Sequence, residues 1–210
     1  MPDFAKIQEQ RRSIYNLGKN VQQNPDELFS IIKGAVRETP SAFNSQSVQA
    51  VVLTGQAHEK LWEIALTELK KVAASEEAFT ATKTKVNHSF AAGFGTVLYF
   101  TDTNIVEGLK KQAPAYADNF DDWAEEAIGI SLYAVWLTLS NLGLGASLQH
   151  YNPLIDQAVK ETFNLPDSWV LRGQMPFGSI EAPAQDKTYQ DDMVRFMHFN
   201  WLFLEKIDFF

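Results

Sequence analysis

The stretch Trp123–Asp156, WAEEAIGISLYAVWLTLSNLGLGASLQHYNPLID, decides the fold of this chain. Its first two-thirds contain no proline and one glycine, and the apolar spacing predicts a long helix. Apolar residues cover almost every face of that helix, among them Ile128, Ile130, Leu132 and Trp136. Such a helix cannot lie on the surface of a monomer, because one side would expose its apolar residues to water. It must be buried in the core, cross a membrane, or be covered on its second side by a partner.

The end of this helix is followed by a glycine-punctuated segment, Gly143–Ser147, and then by the polar residues Gln149–Asn152. Backbone amides just beyond a buried helix could hold a flat ligand with a polar edge. An ordinary turn that follows a core helix would have the same composition. From the residues alone, both interpretations stay open.

The composition of the 210 residues excludes several classes of function. There is no cysteine, so a disulfide framework, a zinc-finger site and a thiol nucleophile are ruled out. The formal charge is -8 and no basic stripe is present, which argues against nucleic acid as a partner. The four scattered histidines lack metal-ligand spacing, so we expect no metal site. Any redox chemistry must come from a bound cofactor.

The N-terminal sequence, MPDFAKIQEQRRS, has no apolar segment of the kind that signal peptides contain. The apolar run Ile128–Leu142 is too short to cross a bilayer. We therefore expect a cytoplasmic protein that does not bind membranes.

The rest of the chain predicts helices and three strands in a single domain, residues 1–210. The predicted helices are Asp3–Asn16 with Phe4, Ile7 and Ile14 inward, one from Asn24-Pro25 to just before Pro40, Gln56–Ala74, Ile105–Lys111, the long central helix, and one from Pro153 to about Phe163. The predicted strands are Val48–Thr54, Val97–Thr101 and Ser168–Gln174, and Ser75–Ala92 is predicted to be a mobile helix-and-loop segment. Because the strands do not alternate regularly with crossover helices, the fold class is α+β rather than a doubly wound sheet.

Two polar stretches could bind a ligand. Arg11-Arg12-Ser13 offers two guanidinium groups and a hydroxyl, which suit a phosphate, although adjacent arginines on a short helix are more often solvated. In a later loop, Ser41, Asn44 and Gln46 supply donors and acceptors that can read the edge of a heteroaromatic ring. Turn chemistry alone would explain the same loop.

Four separated stretches, taken with their order and spacing, carry a family resemblance. They are Arg11-Arg12-Ser13, Pro40–Gln46 (PSAFNSQ), Gly143–Asp156 (GLGASLQHYNPLID), and Met175–Gly178 with Lys187 beyond it. Through them the chain resembles the nitroreductase family of flavin enzymes, and in particular the short branch with the yeast fatty-acid-repression protein and bacterial copper-induced nitroreductases. The likeness extends over nearly the whole chain up to about Phe196.

The resemblance implies an FMN enzyme that forms an intertwined homodimer, with two flavins at the subunit interface. It implies a central, mainly antiparallel sheet flanked by helices, and a long interface helix. The all-round apolar helix would then be covered by its own core on one face and by its twin on the other. The aromatic tail, residues 196–210, is unlike that branch and either wraps the partner subunit or is an altered terminus.

On the phosphate side, the resemblance assigns Arg11 to the FMN phosphate, joined there by Lys187 from the far end of the chain. Arg12 and Ser13 would lie along the ribityl chain and the pyrimidine side of the ring. Many nitroreductases have a basic residue at the position of Tyr15, so one polar flavin contact differs in this chain.

On the ring side, the resemblance assigns residues from both subunits. Ser41, Phe43 and Asn44 would contact the flavin of the other subunit, and Gln46 would support their loop. A backbone amide around Gln149-His150 would point at the flavin N5, which accepts the hydride.

The implied function is a ping-pong oxidoreductase. NADH or NADPH donates a hydride to FMN and leaves, and a nitroaromatic or a quinone then takes the electrons in the same place. Phe120 and Trp123 either line the space for these small aromatic acceptors or pack in the core. No catalytic side chain is required, and His150 is expected to act through its backbone alone. A stress-response or regulatory flavoprotein with little turnover is the first alternative. A structural helical interaction protein without a cofactor, and a dehydrogenase or dehalogenating enzyme with the family fold, are the others.

Overall fold

The computed structural model describes residues 4–199 and arranges them around a five-stranded sheet. Its strands are β1 (Leu17–Gly18), β2 (Val48–Thr54), β3 (Gly95–Asp102), β4 (Gly145–Ala146) and β5 (Trp169–Ile180). Their order is β1-β5-β3-β2, with β4 also paired to β5, and all of these pairings are antiparallel. Asp3, the first residue of the first predicted helix, lies outside the described range. So does most of the aromatic tail, residues 196–210, for which wrapping of the partner subunit was one of two interpretations.

Helices flank this sheet. They are α1 (Phe4–Gln10), α2 (Pro25–Arg37), α3 (Gly55–Val72), α4 (Glu76–Ser89), α5 (Thr103–Gln112), α6 (Phe120–Asn141), α7 (Asp156–Phe163) and α8 (Asp192–Arg195), with short 3-10 turns at Ala42–Asn44 and Pro114–Asn119. The predicted α+β class, with a mainly antiparallel sheet between helices, is confirmed. Within residues 4–199, no helix combines the length and the apolar character that a membrane span needs.

β3 is the central strand, and both of its faces are buried. Val97 and Tyr99 face a hydrophobic core that α2 and α6 complete, while Leu98 and Phe100 face a second core formed with α3, α4 and α7. Side chains alternate between the two faces of a strand, so one strand serves both cores. The near-continuous apolar sequence of β3 follows from this double burial.

α6 is the long central helix that the sequence predicts, and it is buried along one side only. Ile128, Val135 and Leu139 lie in the core against β3. On the opposite side, Ile130 is 41% exposed and Tyr133 is 40% exposed. Two large apolar side chains therefore face outward in the middle of the helix, on the side that this chain leaves uncovered.

The prediction of one helix over Asp3–Asn16 is wrong beyond Gln10. α1 buries none of its residues, and Phe4, predicted to point inward, is 61% exposed. Ile14 is buried, as predicted, but it lies outside the helix, where its backbone N–H donates to the carbonyl oxygen of Ala146 at 2.9 Å. This long-range pairing with β4 replaces the last helical turns.

The third strand is longer than the predicted Ser168–Gln174. β5 continues to Ile180, because it pairs with β3, β4 and β1 in turn. Pro176 is tolerated inside the strand, and its carbonyl oxygen accepts a hydrogen bond from the N–H of Ser147 at 3.2 Å.

The prediction of a mobile helix-and-loop segment over Ser75–Ala92 is wrong, because most of that range forms one helix. α4 is continuous over most of that range, and the Ser75 hydroxyl caps it by accepting from the N–H of Ala78 at 3.1 Å. Only Val86 of α4 is buried, together with Phe90 just after its end. So few buried positions leave little apolar periodicity for a sequence pattern to detect.

Candidate functional site

A cavity of about 590 Å³ lies where the N-terminal segment meets the segment that follows β5. Its lining consists of Arg11, Arg12, Ser13, Tyr15, Asn16 and residues 182–187. Five residues that the resemblance assigns to a flavin, Arg11, Arg12, Ser13, Tyr15 and Lys187, therefore come together in one place. Across residues 4–199, His, Asp and Glu side chains form no cluster that could hold a metal ion.

Strand pairing holds the two sides of this cavity together. Ser13 forms a bridge with Ala146 of β4, which itself pairs with β5. Beyond β5, the N–H of Glu181 donates to the carbonyl oxygen of Asn16 at 3.0 Å. Residues 182–187, the return segment, therefore start alongside the N-terminal segment. The sheet thus sets the position of both walls.

Neutral groups hold the three cations of the cavity. The guanidinium carbon of Arg11 lies 4.6 Å from the ring centroid of Trp136, and Nζ of Lys187 lies 4.7 Å from that of Tyr189. Arg12 donates to a backbone carbonyl oxygen of the return segment. None of the three pairs with a carboxylate of the described residues. Their charge is therefore available to an anionic ligand.

The loop Ser41–Gln46 has a strained backbone. Phe43, Asn44 and Gln46 have φ angles of 55°, 50° and 50°, in the left-handed region that residues other than glycine rarely adopt. The Ser41 hydroxyl accepts a hydrogen bond from the Gln46 N–H at 3.0 Å, and the Ser41 carbonyl oxygen accepts one from the Asn44 N–H at 2.9 Å. Ser41 thus supports the loop, which is the role that the resemblance assigns to Gln46. Strain of this kind is concentrated at functional sites.

Phe43 is the centre of an aromatic cluster at the start of α6. Its ring centroid lies 5.4 Å from that of Phe120, 5.9 Å from that of Tyr116 and 6.0 Å from that of Trp123. Phe43 and Tyr116 are 58% and 50% exposed, whereas Phe120 is only 2% exposed. Of the two predicted acceptor residues, Trp123 is half-buried at this surface and Phe120 packs in the core. Sequence reasoning missed Tyr116, because its place depends on the 3-10 turn Pro114–Asn119.

Of the two backbone amides predicted to contact the flavin, those of Gln149 and His150, one is already paired within the chain. The Gln149 N–H donates to the carbonyl oxygen of Gln174 at 2.7 Å, so it is not free to bind a ligand. The His150 N–H has no hydrogen-bond partner in the part of the chain that the structure describes. The side-chain oxygen of the buried Gln174 accepts from the N–H of Tyr151 at 2.7 Å, which fixes this turn. Gln174 was missed because nothing in the sequence sets it apart from the rest of its strand.

α6 separates the cavity from the strained loop. Phe43 contacts Trp123 near the start of the helix, whereas Arg11 contacts Trp136 near its end. At a rise of about 1.5 Å per residue, the two tryptophans are roughly 20 Å apart along the helix axis. Within one chain, the two groups of predicted flavin contacts therefore do not meet.

Comparison with known proteins points to one family. The family model described as "Nitroreductase family" matches residues 9–179. Two Saccharomyces cerevisiae proteins match over most of their length. HBN1 is 34% identical over 188 residues, which cover 89% of this chain and 92% of that protein. The nitroreductase FRM2 is 30% identical over 190 residues, which cover 90% and 93%.

Solved structures agree with that match. The nitroreductase CinD from Lactococcus lactis, in complex with nicotinic acid, is 51% identical, has a TM-score of 0.87, and covers 94% of this chain and 100% of its own. CinD has also been solved with 4-nitrophenol and with chloramphenicol. A protein from Exiguobacterium sibiricum, solved in complex with FMN, has a TM-score of 0.69 at 14% identity, covering 94% of this chain and 98% of its own, and so shares the fold.

Proposed function

Because the chain belongs to the nitroreductase family, we propose that it is an FMN-dependent oxidoreductase that takes electrons from NADH or NADPH and reduces nitroaromatics, quinones or both. One observation carries the cofactor assignment: three cations without a carboxylate partner surround a cavity of about 590 Å³. A phosphate monoester carries about two negative charges at neutral pH, and this is where it would be attracted. In this proposal residues 1–210 act as one FMN-binding domain.

The residues of the cavity divide the phosphate side of the cofactor between them. Arg11 and Lys187 bind the phosphate, because a guanidinium and an ammonium group both form charge-assisted hydrogen bonds to its oxygens. Arg12 and Ser13 lie along the ribityl chain and the pyrimidine side of the ring. Tyr15, which lines the same cavity, offers a hydroxyl group at the position where many nitroreductases have a cation.

The proposed enzyme is a homodimer in which each flavin site needs both chains. A two-fold axis across the middle of α6 would lay two copies of the helix antiparallel, so that the loop Ser41–Gln46 of one chain approaches the cavity of the other. Ile130 and Tyr133, exposed in the middle of α6, are the apolar side chains that such an interface would cover. The distance of roughly 20 Å along α6 between the loop and the cavity supports this arrangement.

Bound FMN would supply the hydride chemistry of both half-reactions. The role of the protein is to orient the flavin ring and the two reactants. In this proposal the backbone N–H of His150, which has no partner among the described residues, donates to the ring. The exposed ring of Phe43 and the half-buried ring of Trp123 form a stacking surface for a flat acceptor. The CinD complexes support this division, since nicotinic acid resembles the reactive ring of NADH and 4-nitrophenol is a nitroaromatic.

Anaerobic absorbance spectroscopy of the purified protein tests the proposal. A flavin band at about 450 nm is expected, and NADH or NADPH should bleach it. Addition of a nitroaromatic or a quinone should then restore the band. Bleaching without recovery by any acceptor would favour a flavin-binding regulator with little turnover. A protein that stays colourless after FMN is added would overturn the assignment.

A further inference from the structure

Lysine and arginine side chains of the described residues contact carboxylates or aromatic rings, and Lys33, Lys85 and Arg195 lie over rings outside the cavity. Elsewhere in residues 4–199, several lysine and arginine side chains lie 2.7–3.7 Å from carboxylate oxygens. Arg11 instead lies over the ring of Trp136, and Lys187 lies over the ring of Tyr189. Two of the three cavity cations therefore contact aromatic rings that carry no charge.

We propose that Trp136 and Tyr189 are positioning residues of the phosphate site, each holding one cation without neutralising it. This inference rests on the proposed function, because it assumes that the site takes the phosphate of FMN. A carboxylate would hold Arg11 or Lys187 equally well, but it would cancel the charge that an anion needs. A ring face attracts a cation through its quadrupole and leaves the N–H donors at the edge of the cation free.

The benefit of such a ring is pre-organisation. Arginine and lysine side chains have many rotamers, and binding a phosphate restricts them at a cost in conformational entropy. A side chain that is already held over a ring loses less freedom when the ligand arrives, so the ligand binds more tightly. The effect should be confined to ligands that carry a phosphate, since only these use Arg11 and Lys187.

Trp136 has a second feature that packing does not explain. Its indole N–H is buried and has no hydrogen-bond partner among the described residues. A buried donor without an acceptor is unfavourable for folding and is rare in native proteins. Phenylalanine at this position would avoid that defect, but tryptophan binds cations more strongly than phenylalanine does. The contact with Arg11 accounts for the choice of tryptophan.

Binding of FMN and of riboflavin to the full-length protein tests the proposal, because riboflavin lacks the phosphate. Trp136→Leu should weaken FMN binding about fivefold and Tyr189→Leu about twofold, whereas the affinity for riboflavin should stay unchanged. Trp136→Phe keeps a weaker ring contact and should bind FMN with an affinity between those of the wild type and Trp136→Leu. If the ring acts through Arg11, Trp136→Leu should cause no further loss in an Arg11→Ala background.

The control is Phe79→Leu, which removes the ring under Lys70 (5.5 Å) on the surface formed by α3 and α4 and should change neither affinity. Equal weakening of FMN and riboflavin by Trp136→Leu, or an undiminished loss in the Arg11→Ala background, would overturn the positioning role. A wild-type protein that binds FMN, together with a Trp136→Leu variant that binds it equally well, would overturn this inference alone. A wild-type protein that binds neither flavin would overturn the proposed function and this inference with it.

Discussion

Phe43 and Trp123 stack with their ring centroids 6.0 Å apart and their ring planes 25° from parallel. The contact joins the strained loop to the start of α6 and leaves Phe43 58% exposed. The ring of Tyr116 lies 6.1 Å from that of Trp123, so the exposed surface is aromatic over several side chains. Clustered apolar surface of this kind is typical of a ligand or partner site.

Replacing Trp123 with leucine is expected to lower kcat/KM for a nitroaromatic about 3- to 10-fold, because an aromatic stack contributes about 0.5–1.5 kcal/mol. Steady-state kinetics with a nitroaromatic and a quinone measure the effect. Trp123→Phe should retain most of the activity, and the FMN dissociation constant should be unchanged in both variants. If both variants keep full kcat/KM for both acceptors, Trp123 lies outside the acceptor site.

Arg11→Ala is expected to weaken FMN binding about 10- to 100-fold, since a charge-assisted hydrogen bond to phosphate contributes roughly 1.5–3 kcal/mol. The ratio of the 450 nm to the 280 nm absorbance after purification, followed by FMN titration of the flavin-free protein, provides the measurement. Lys60→Ala is the control, because Lys60 is exposed on α3 and pairs with Glu63 at 3.4 Å. Unchanged flavin content in the Arg11 variant would refute the assignment.

The resemblance predicted the family and five of the residues that line the cavity, but not Asn16 or residues 182–186. The family match over residues 9–179 confirms the resemblance that four short stretches carry. Arg11 and Lys187 do line one cavity. No local pattern links residues at opposite ends of a chain, so only the resemblance could bring these two together before the structure.

Features that depend on long-range contacts could not be predicted. α1 ends at Gln10 because the next residues pair with Ala146, and a helix propensity contains no information on that partner. The contact of Arg11 with Trp136 likewise depends on how the N-terminal segment packs on α6. The left-handed backbone of Phe43 could not be predicted, because no glycine stands at that position and the surrounding structure imposes the conformation.

Gln46→Gly is expected to stabilise the flavin-free protein by about 0.5–1 kcal/mol, because glycine adopts a φ near +50° without the penalty that other residues have. The backbone N–H that donates to Ser41 is retained, and the Gln46 side chain has no partner to lose among the described residues. Urea unfolding measures the change. Gln49→Gly, in the extended strand β2, should instead destabilise the protein. Destabilisation by both changes would contradict a strained loop.

Ile130→Asp is expected to convert the proposed dimer to monomers while the fold is kept. Ile130 is 41% exposed and lies outside the hydrophobic cores, but an interface across α6 would bury an unpaired carboxylate there, at a cost on the order of 3 kcal/mol. Sedimentation velocity and circular dichroism report the two properties separately. Val72→Asp, at a 63% exposed position at the end of α3, is the control and should stay dimeric. A stable Ile130→Asp dimer would place the interface elsewhere.

His58 lies in a buried network of hydrogen bonds and is 1% exposed. Its Nδ1 lies 2.9 Å from Oγ1 of Thr96, which also accepts from the indole N–H of Trp62 at 3.2 Å, and its Nε2 lies 3.2 Å from the carbonyl oxygen of Ala91. A neutral ring with its proton on Nε2 satisfies all of these bonds. Burial lowers the pKa of His58 from 6.5 to about 4, against a smaller raising effect of the hydrogen bond to Ala91.

Folding stability should therefore fall as the pH drops from about 7.5 to 5, by about 2 kcal/mol from His58 alone. The pKa is lower in the folded state than the unfolded value of 6.5, so the unfolded chain takes up the proton first. The contribution of neutral His58 is thus complete above pH 6.5 and is lost as the pH falls towards 4. Urea unfolding at fixed protein concentration should show a flatter pH dependence for His58→Gln than for the wild type. His88→Gln, at an exposed position, should keep the wild-type slope, and an equal slope in both variants would mean that another group takes up the proton.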